Sequence, residues 1–125
     1  MSKVFVLQEP TKRDEAGNLV PLMDFSALSE YGEKVVCLPP GRVSLTPGPT
    51  VDILTEVLRN FTDDDYIVSV GDPSAIFIAA MVVGRQNRHR CKLLKWDKDK
   101  RKYICIQVDL NHRVNQHRTS KGELK

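Results

Sequence analysis

The chain has 125 residues, 41% of them hydrophobic and 28% charged, a composition that excludes collagen-like, wholly disordered and disulfide-scaffold classes. Residues 1–83 carry six bases against twelve acids, a net of −6, while residues 84–125 carry thirteen bases against four acids, a net of +9. An asymmetry of this size points to a polyanion or an acidic partner for the C-terminal third, and the length suits one domain with a real core.

Lys3–Gln8 reads as a first strand, rich in β-branched and aromatic residues and stopped by Glu9-Pro10. Residues 11–24 are polar, and Ala16-Gly17-Asn18 is a turn that bends the chain back, with Pro21 confining the returning segment to an edge. Ser26–Tyr31 suits a short helix with Ser26 as N-cap and Gly32 just beyond its end. Val35–Leu38 is a continuous apolar run, the mark of a strand covered on both faces.

The Pro- and Gly-rich stretch 39–49 is a connecting loop. Thr50 then offers an N-cap to a helix over Val51–Phe61, whose Ile53, Leu54, Val57, Leu58 and Phe61 form one apolar stripe. Asp63-Asp64-Asp65 ends that helix in solvent, and Tyr66–Val70 follows as a buried strand. Gly71-Asp72-Pro73 turns into a helix over Ser74–Arg85, with Pro73 at its first position and Gly84 near its end. Residues 75–83 are apolar on every side, which predicts a helix packed between other elements.

Cys91–Trp96 and Tyr103–Leu110 form a hairpin around 97–102. In the second strand Ile104, Ile106, Val108 and Leu110 alternate with polar positions, which assigns the aliphatic set to the core. The expected fold is α/β: a single compact domain over 1–110 with a mostly parallel sheet core, packed helices and a C-terminal antiparallel β-hairpin. Residues 111–125 read as a basic, polar and flexible tail.

The apolar stretch 75–83 is far short of the ~20 residues of a membrane span, and the N-terminal apolar run is short of the roughly 7–15 of a secretory signal. No membrane contact and a cytoplasmic location, the host cytoplasm for a viral protein, are therefore expected. Cys37, Cys91 and Cys105 lack zinc-knuckle spacing and read as structural thiols in a reducing compartment.

Few residues invite chemistry. Gly71, Asp72 and Ser74 lead from a strand into a helix, where an anion or nucleotide phosphate is one reading and a helix cap with a tight turn the stronger one. Asp63, Asp64, Asp65 and Asp72 can be read as a divalent-cation cluster, although they fit no EF-hand and read better as solvated loop acids. His89, His112 and His117 form no metal pair, and Glu9, Glu33 and Asp109 no more suggest acid–base catalysis than other carboxylates do. No catalytic residue, metal or cofactor is expected.

The basic third is more specific. Arg88, Arg90 and Lys92 precede the hairpin, Lys95, Lys98, Lys100, Arg101 and Lys102 crowd its tip, and Trp96 and Tyr103 flank the loop. Cations that neutralise phosphates beside rings that stack on bases suit a nucleic acid bound without strict sequence preference.

Val70-Gly71-Asp72-Pro73, the Ala-rich segment after it, and Leu93-Leu94-Lys95-Trp96-Asp97 followed by Tyr103 give the stretch 66–110 a likeness. Glu9-Pro10, Asp24-Phe25 and Tyr31-Gly32-Glu33 add to it. It resembles a family of small uncharacterised bacteriophage proteins, which implies a viral accessory role and supplies no catalytic residue. The reading is thus a non-enzymatic phage protein that binds nucleic acid through its basic hairpin and tail. The alternative is an assembly component that docks on an acidic host protein or forms a homo-oligomer.

Overall fold

Five strands hydrogen-bond into one sheet, and their order fixes where every other element sits. The computed structural model describes residues 2–111. In chain order these form β1 (Lys3–Gln8), β2 (Thr11–Arg13), β3 (Leu19–Pro21), a 3-10 helix (Ser26–Glu30) and β4 (Glu33–Leu38). Then come α1 (Gly48–Val57), β5 (Tyr66–Val68), α2 (Pro73–Gln86), β6 (Arg90–Asp97) and β7 (Lys102–Asp109). The main sheet has the order β4-β1-β5-β6-β7, with every neighbouring pair parallel except β6–β7. β2 and β3 make a separate two-stranded hairpin. The α/β fold expected from strand–helix alternation is the one observed.

The strands divide their side chains between two cores, as the period of two demands. Phe5, Leu7 and Ile67 pack with Leu54 and Leu58 of α1 and with Ala75, Ala79, Val82 and Val83 of α2. Val4, Val6, Val68, Leu94 and Tyr103 pack on the other face with Phe25 and Leu28. The chain steps from β1 outward to β4 across the 3-10 face, then reverses through α1 and α2 across the helical face. This is the arrangement that right-handed crossovers require of such a strand order.

Several local expectations shift for identifiable reasons. Ser26 does not cap the short helix, whose cap position is Phe25 with no side-chain cap; Asp24 Oδ1, one residue earlier, accepts the Ser26 amide at 2.8 Å. α1 starts at Gly48, with Pro49 in its first turn and Thr50 already inside, so no side chain caps it. It ends before Phe61, which is nevertheless buried. β4 is an edge strand, and Val36 is accordingly exposed on one face. α2 covers the sheet with one side only and leaves Phe77 and Met81 in solvent. In β7 the buried residue is Tyr103, while Ile106 and Val108 are exposed, because neither helix reaches over this terminal strand.

Candidate functional site

The hairpin tip is a four-residue loop built on Asp97. Its Oδ1 accepts the amides of Asp99 and Lys100 at 2.9 and 3.0 Å, and its carbonyl accepts the Arg101 amide at 2.7 Å. Arg101 closes the turn in the left-handed region at φ +54°. The loop therefore projects Lys98, Lys100 and Arg101 into solvent, with Lys95 and Lys102 exposed at its root. None of these five side chains enters a salt bridge among the described residues. Trp96 is 40% exposed and meets Tyr103 edge-on across the strands, ring centroids 5.0 Å apart. A shallow groove runs past Trp96 between Lys95, Lys98, Ile104 and Ile106.

The structure divides the residues expected to act together. Tyr103 is 6% exposed and packs on Phe25 and Leu28, so it leaves no open ring face for a base; burial also pushes its phenol pKa upward. Arg90 is committed to Asp63, with its Nη2 2.7 Å from Oδ2 and its Nε 3.2 Å from Oδ1. Lys92 lies over the Tyr66 ring at 4.3 Å. Arg88 sits in a left-handed turn at the foot of the hairpin, where the Asn111 side chain donates to its carbonyl. Arg88 and Arg90 thus stand a strand length from the tip, about 26 Å for eight residues. The tip gathers Lys98, Lys100 and Arg101 in its loop next to Trp96, while Lys95 and Lys102 project from the other face of the same hairpin end. Of the expected tail, Asn111 emerges at that foot; residues 112–125, with His112 and His117, lie outside the described residues.

In the Gly71-Asp72-Ser74 turn the amides of Asp72 and Ser74 are already bonded within the fold. Asp72 caps α2, one carboxylate oxygen accepting Ser74 N–H at 2.8 Å and the other Val43 N–H at 2.9 Å. The Val43 amide is the first cause of its lowered pKa. The amides of Asp72, Ala75 and Ile76 are also engaged, the first with Gln8 and the others with the Asp72 carbonyl. The stronger expectation, a cap and a tight turn, is what the geometry contains. The acidic run disperses as well. Asp65 is buried and ties the start of β1 to β5 by accepting the Lys3 amide at 2.9 Å and the Thr62 amide at 2.8 Å, while Asp63 pairs with Arg90. Among the described residues no three His, Cys, Asp or Glu side chains gather as a metal site.

What the sequence did not reveal is a crevice of about 790 Å³ at the carboxyl ends of β1 and β5. Gln8, Glu9 and Pro10 form one wall, Pro40, Gly41 and Arg42 another, Gly71, Asp72 and Pro73 a third, and Thr11 and Leu19 of the small hairpin overhang it. Gln8 holds the walls together. Only 5% exposed, it donates from Nε2 to the carbonyls of Pro39 and Gly41 at 3.0 and 2.7 Å, and accepts the Asp72 amide at Oε1. A lone glutamine at a strand end carries no motif, so only the strand order exposes its role.

The sequence pattern of the Phage Pam3 gp32-like protein family matches residues 2–110, from β1 through β7. The chain belongs to that family. The phage resemblance carried by 66–110 is thereby established and extended to the N-terminal half, so in this Pam3 gp32-like chain both the hairpin and the crevice lie within the matched region. No curated protein and no solved structure matches the chain. No helix among the described residues is long and apolar enough to cross a membrane.

Proposed function

We propose that this phage protein binds single-stranded nucleic acid through the tip of the β6–β7 hairpin, without strict sequence preference. The observation that carries the reading is the half-exposed Trp96 beside the loop cations Lys98, Lys100 and Arg101, with Lys95 and Lys102 on the opposite face of the same hairpin end; none of the five has an ion-pair partner among the described residues. Lys98, Lys100 and Arg101 neutralise phosphates on the side where Trp96 stacks on a base, and Lys95 and Lys102 add positive charge from the other face. Arg88, Arg90 and Lys92 stand apart from this surface.

Trp96 is the only tryptophan, so its fluorescence reports binding directly. Titration with oligo(dT) at rising salt is expected to quench it, with an affinity that falls steeply as salt is added. Lys100→Gln with Arg101→Gln should flatten the salt slope by about 1.4, at roughly 0.7 per phosphate contact on a single strand. Trp96→Ala, followed by a labelled oligonucleotide, should weaken binding by about 1–3 kcal/mol. No quenching at low ionic strength, or an affinity indifferent to salt, removes the proposal.

The outer edge of β7 favours a second reading, pairing with another copy of this chain. Among the described residues β6 is the one strand paired with β7, and exposed Ile106 and Val108 lie on it. Antiparallel self-pairing would bring the Lys102 end of one copy to the Asp109 end of the other, and open edges are templates for such addition. Light scattering that shows a monomer at high concentration rejects this reading.

A further inference from the structure

The strand order β4-β1-β5-β6-β7 is a doubly wound order with a reversal between β1 and β5. The chain leaves β1 across one face of the sheet and leaves β5 across the other. In open α/β sheets ligands settle outside the carboxyl ends of the strands at such a reversal, because the diverging connections leave a gap there. The crevice described above lies in that gap. Its volume of about 790 Å³ is within the range that holds a small molecule.

The walls also indicate the chemistry of the occupant. Most of the acceptors are already engaged. Gln8 Oε1 accepts the Asp72 amide, and each Asp72 carboxylate oxygen accepts a backbone amide. The carbonyls of Pro10 and Gly41 accept the Leu22 amide and the Gln8 side chain, and Glu9 is ion-paired with Lys34 at 2.7 Å. The donors are not. Arg42 is exposed and makes no hydrogen bond or salt bridge among the described residues, although its charge acts on Asp72. Pro10, Leu19, Pro40 and Pro73 supply apolar surface around it, and Leu19 is 55% exposed on the overhanging hairpin.

We propose that the crevice between the ends of β1 and β5 binds a small organic anion, an apolar or aromatic body whose carboxylate or phosphate is held by Arg42. The planar guanidinium offers paired N–H donors to such a group, and the body lies against Leu19 and the proline rings. This site is separate from the hairpin tip and does not depend on nucleic-acid binding.

The test is titration of the ¹⁵N-labelled full chain with phenyl phosphate and with phenylacetate, which separates the two sources of negative charge. Phenethylamine and phenylacetamide serve as cationic and neutral controls. At least one of the anions is expected to shift the amides of Thr11, Leu19, Gly41, Arg42 and Gly71 in a saturable way. The amine and the amide should bind about tenfold more weakly or not at all. Arg42→Gln, at an exposed side chain without bonds, should leave the other amides in place and cost the anion about tenfold in affinity. Lys100→Gln with Arg101→Gln should change nothing at the crevice, which separates this result from the fate of the nucleic-acid reading. Crevice amides that stay still at millimolar anion overturn the proposal. So do a response shared equally by the controls and an affinity untouched by Arg42→Gln.

Discussion

A methyl group added at Gly71 would stand 2.7 Å from Gln8 Oε1 and 2.9 Å from Gln8 Cβ, and the backbone there has φ +125°, which side chains rarely tolerate. Gly71→Ala should therefore destabilise the fold by about 2–4 kcal/mol, through backbone strain and displacement of a buried side chain that bridges three segments. Gly17 also has a positive φ, +86°, but nothing lies within 4 Å of its added carbon, so Gly17→Ala should cost only about 1–2 kcal/mol. Urea unfolding of the pair checks the difference. The thiols give a second residue-scale prediction. Burial pushes Cys37 up to about 12 and Cys91 up to about 11, whereas Cys105 is exposed. The native state then holds protons that the unfolded chain gives up near pH 9, so stability should fall as pH rises from about 9 towards 12. A thiol reagent at pH 8 should label Cys105 first and the other two only on unfolding.

At the scale of elements, three non-glycine residues occupy the left-handed region: Arg88 at φ +53°, His89 at +63° and Arg101 at +54°. Arg88 and His89 turn the chain from α2 into β6, and Arg101 closes the loop that leads from β6 into β7, which pair from Arg90↔Asp109 to Asp97↔Lys102. Arg101→Gly should raise stability by about 0.5–1 kcal/mol while weakening oligo(dT) binding. Thermal melts and the fluorescence titration would move in opposite directions, an outcome that a merely structural Arg101 would not produce. The elements that the sequence revealed are those with local signals: β1, the Gly17 turn, Asp72 and Pro73 at the start of α2, and the hairpin. It did not reveal partners brought together from afar. Gln8 meets Asp72 across 64 positions, Asp65 meets Lys3 across 62, and Arg90 meets Asp63 across 27. Those contacts take Arg90 out of the expected basic surface and build the crevice, and neither composition nor periodicity encodes them. The aliphatic alternation of β7 was legible, but which face was buried depended on how far α2 extends over the sheet.

Across the whole molecule the sheet is protected unequally. β1 is hydrogen-bonded on both sides and buried from Val4 to Gln8, whereas among the described residues β7 has a strand neighbour on one side only and carries exposed side chains on both faces. Hydrogen exchange should therefore be slowest in β1 and β5 and faster in β7, since local opening follows the number of buried contacts. A uniform protection pattern would contradict the strand order.

The antiparallel course of β7 has a practical consequence. It returns the chain to the foot of the sheet, where Leu110 donates to the His89 carbonyl and Asn111 to that of Arg88. Crevice and hairpin loop both occupy the opposite rim. A fluorophore or surface tether fixed at position 111 would therefore leave that rim facing outward, so one immobilised preparation can be probed for both occupants without the handle obstructing either.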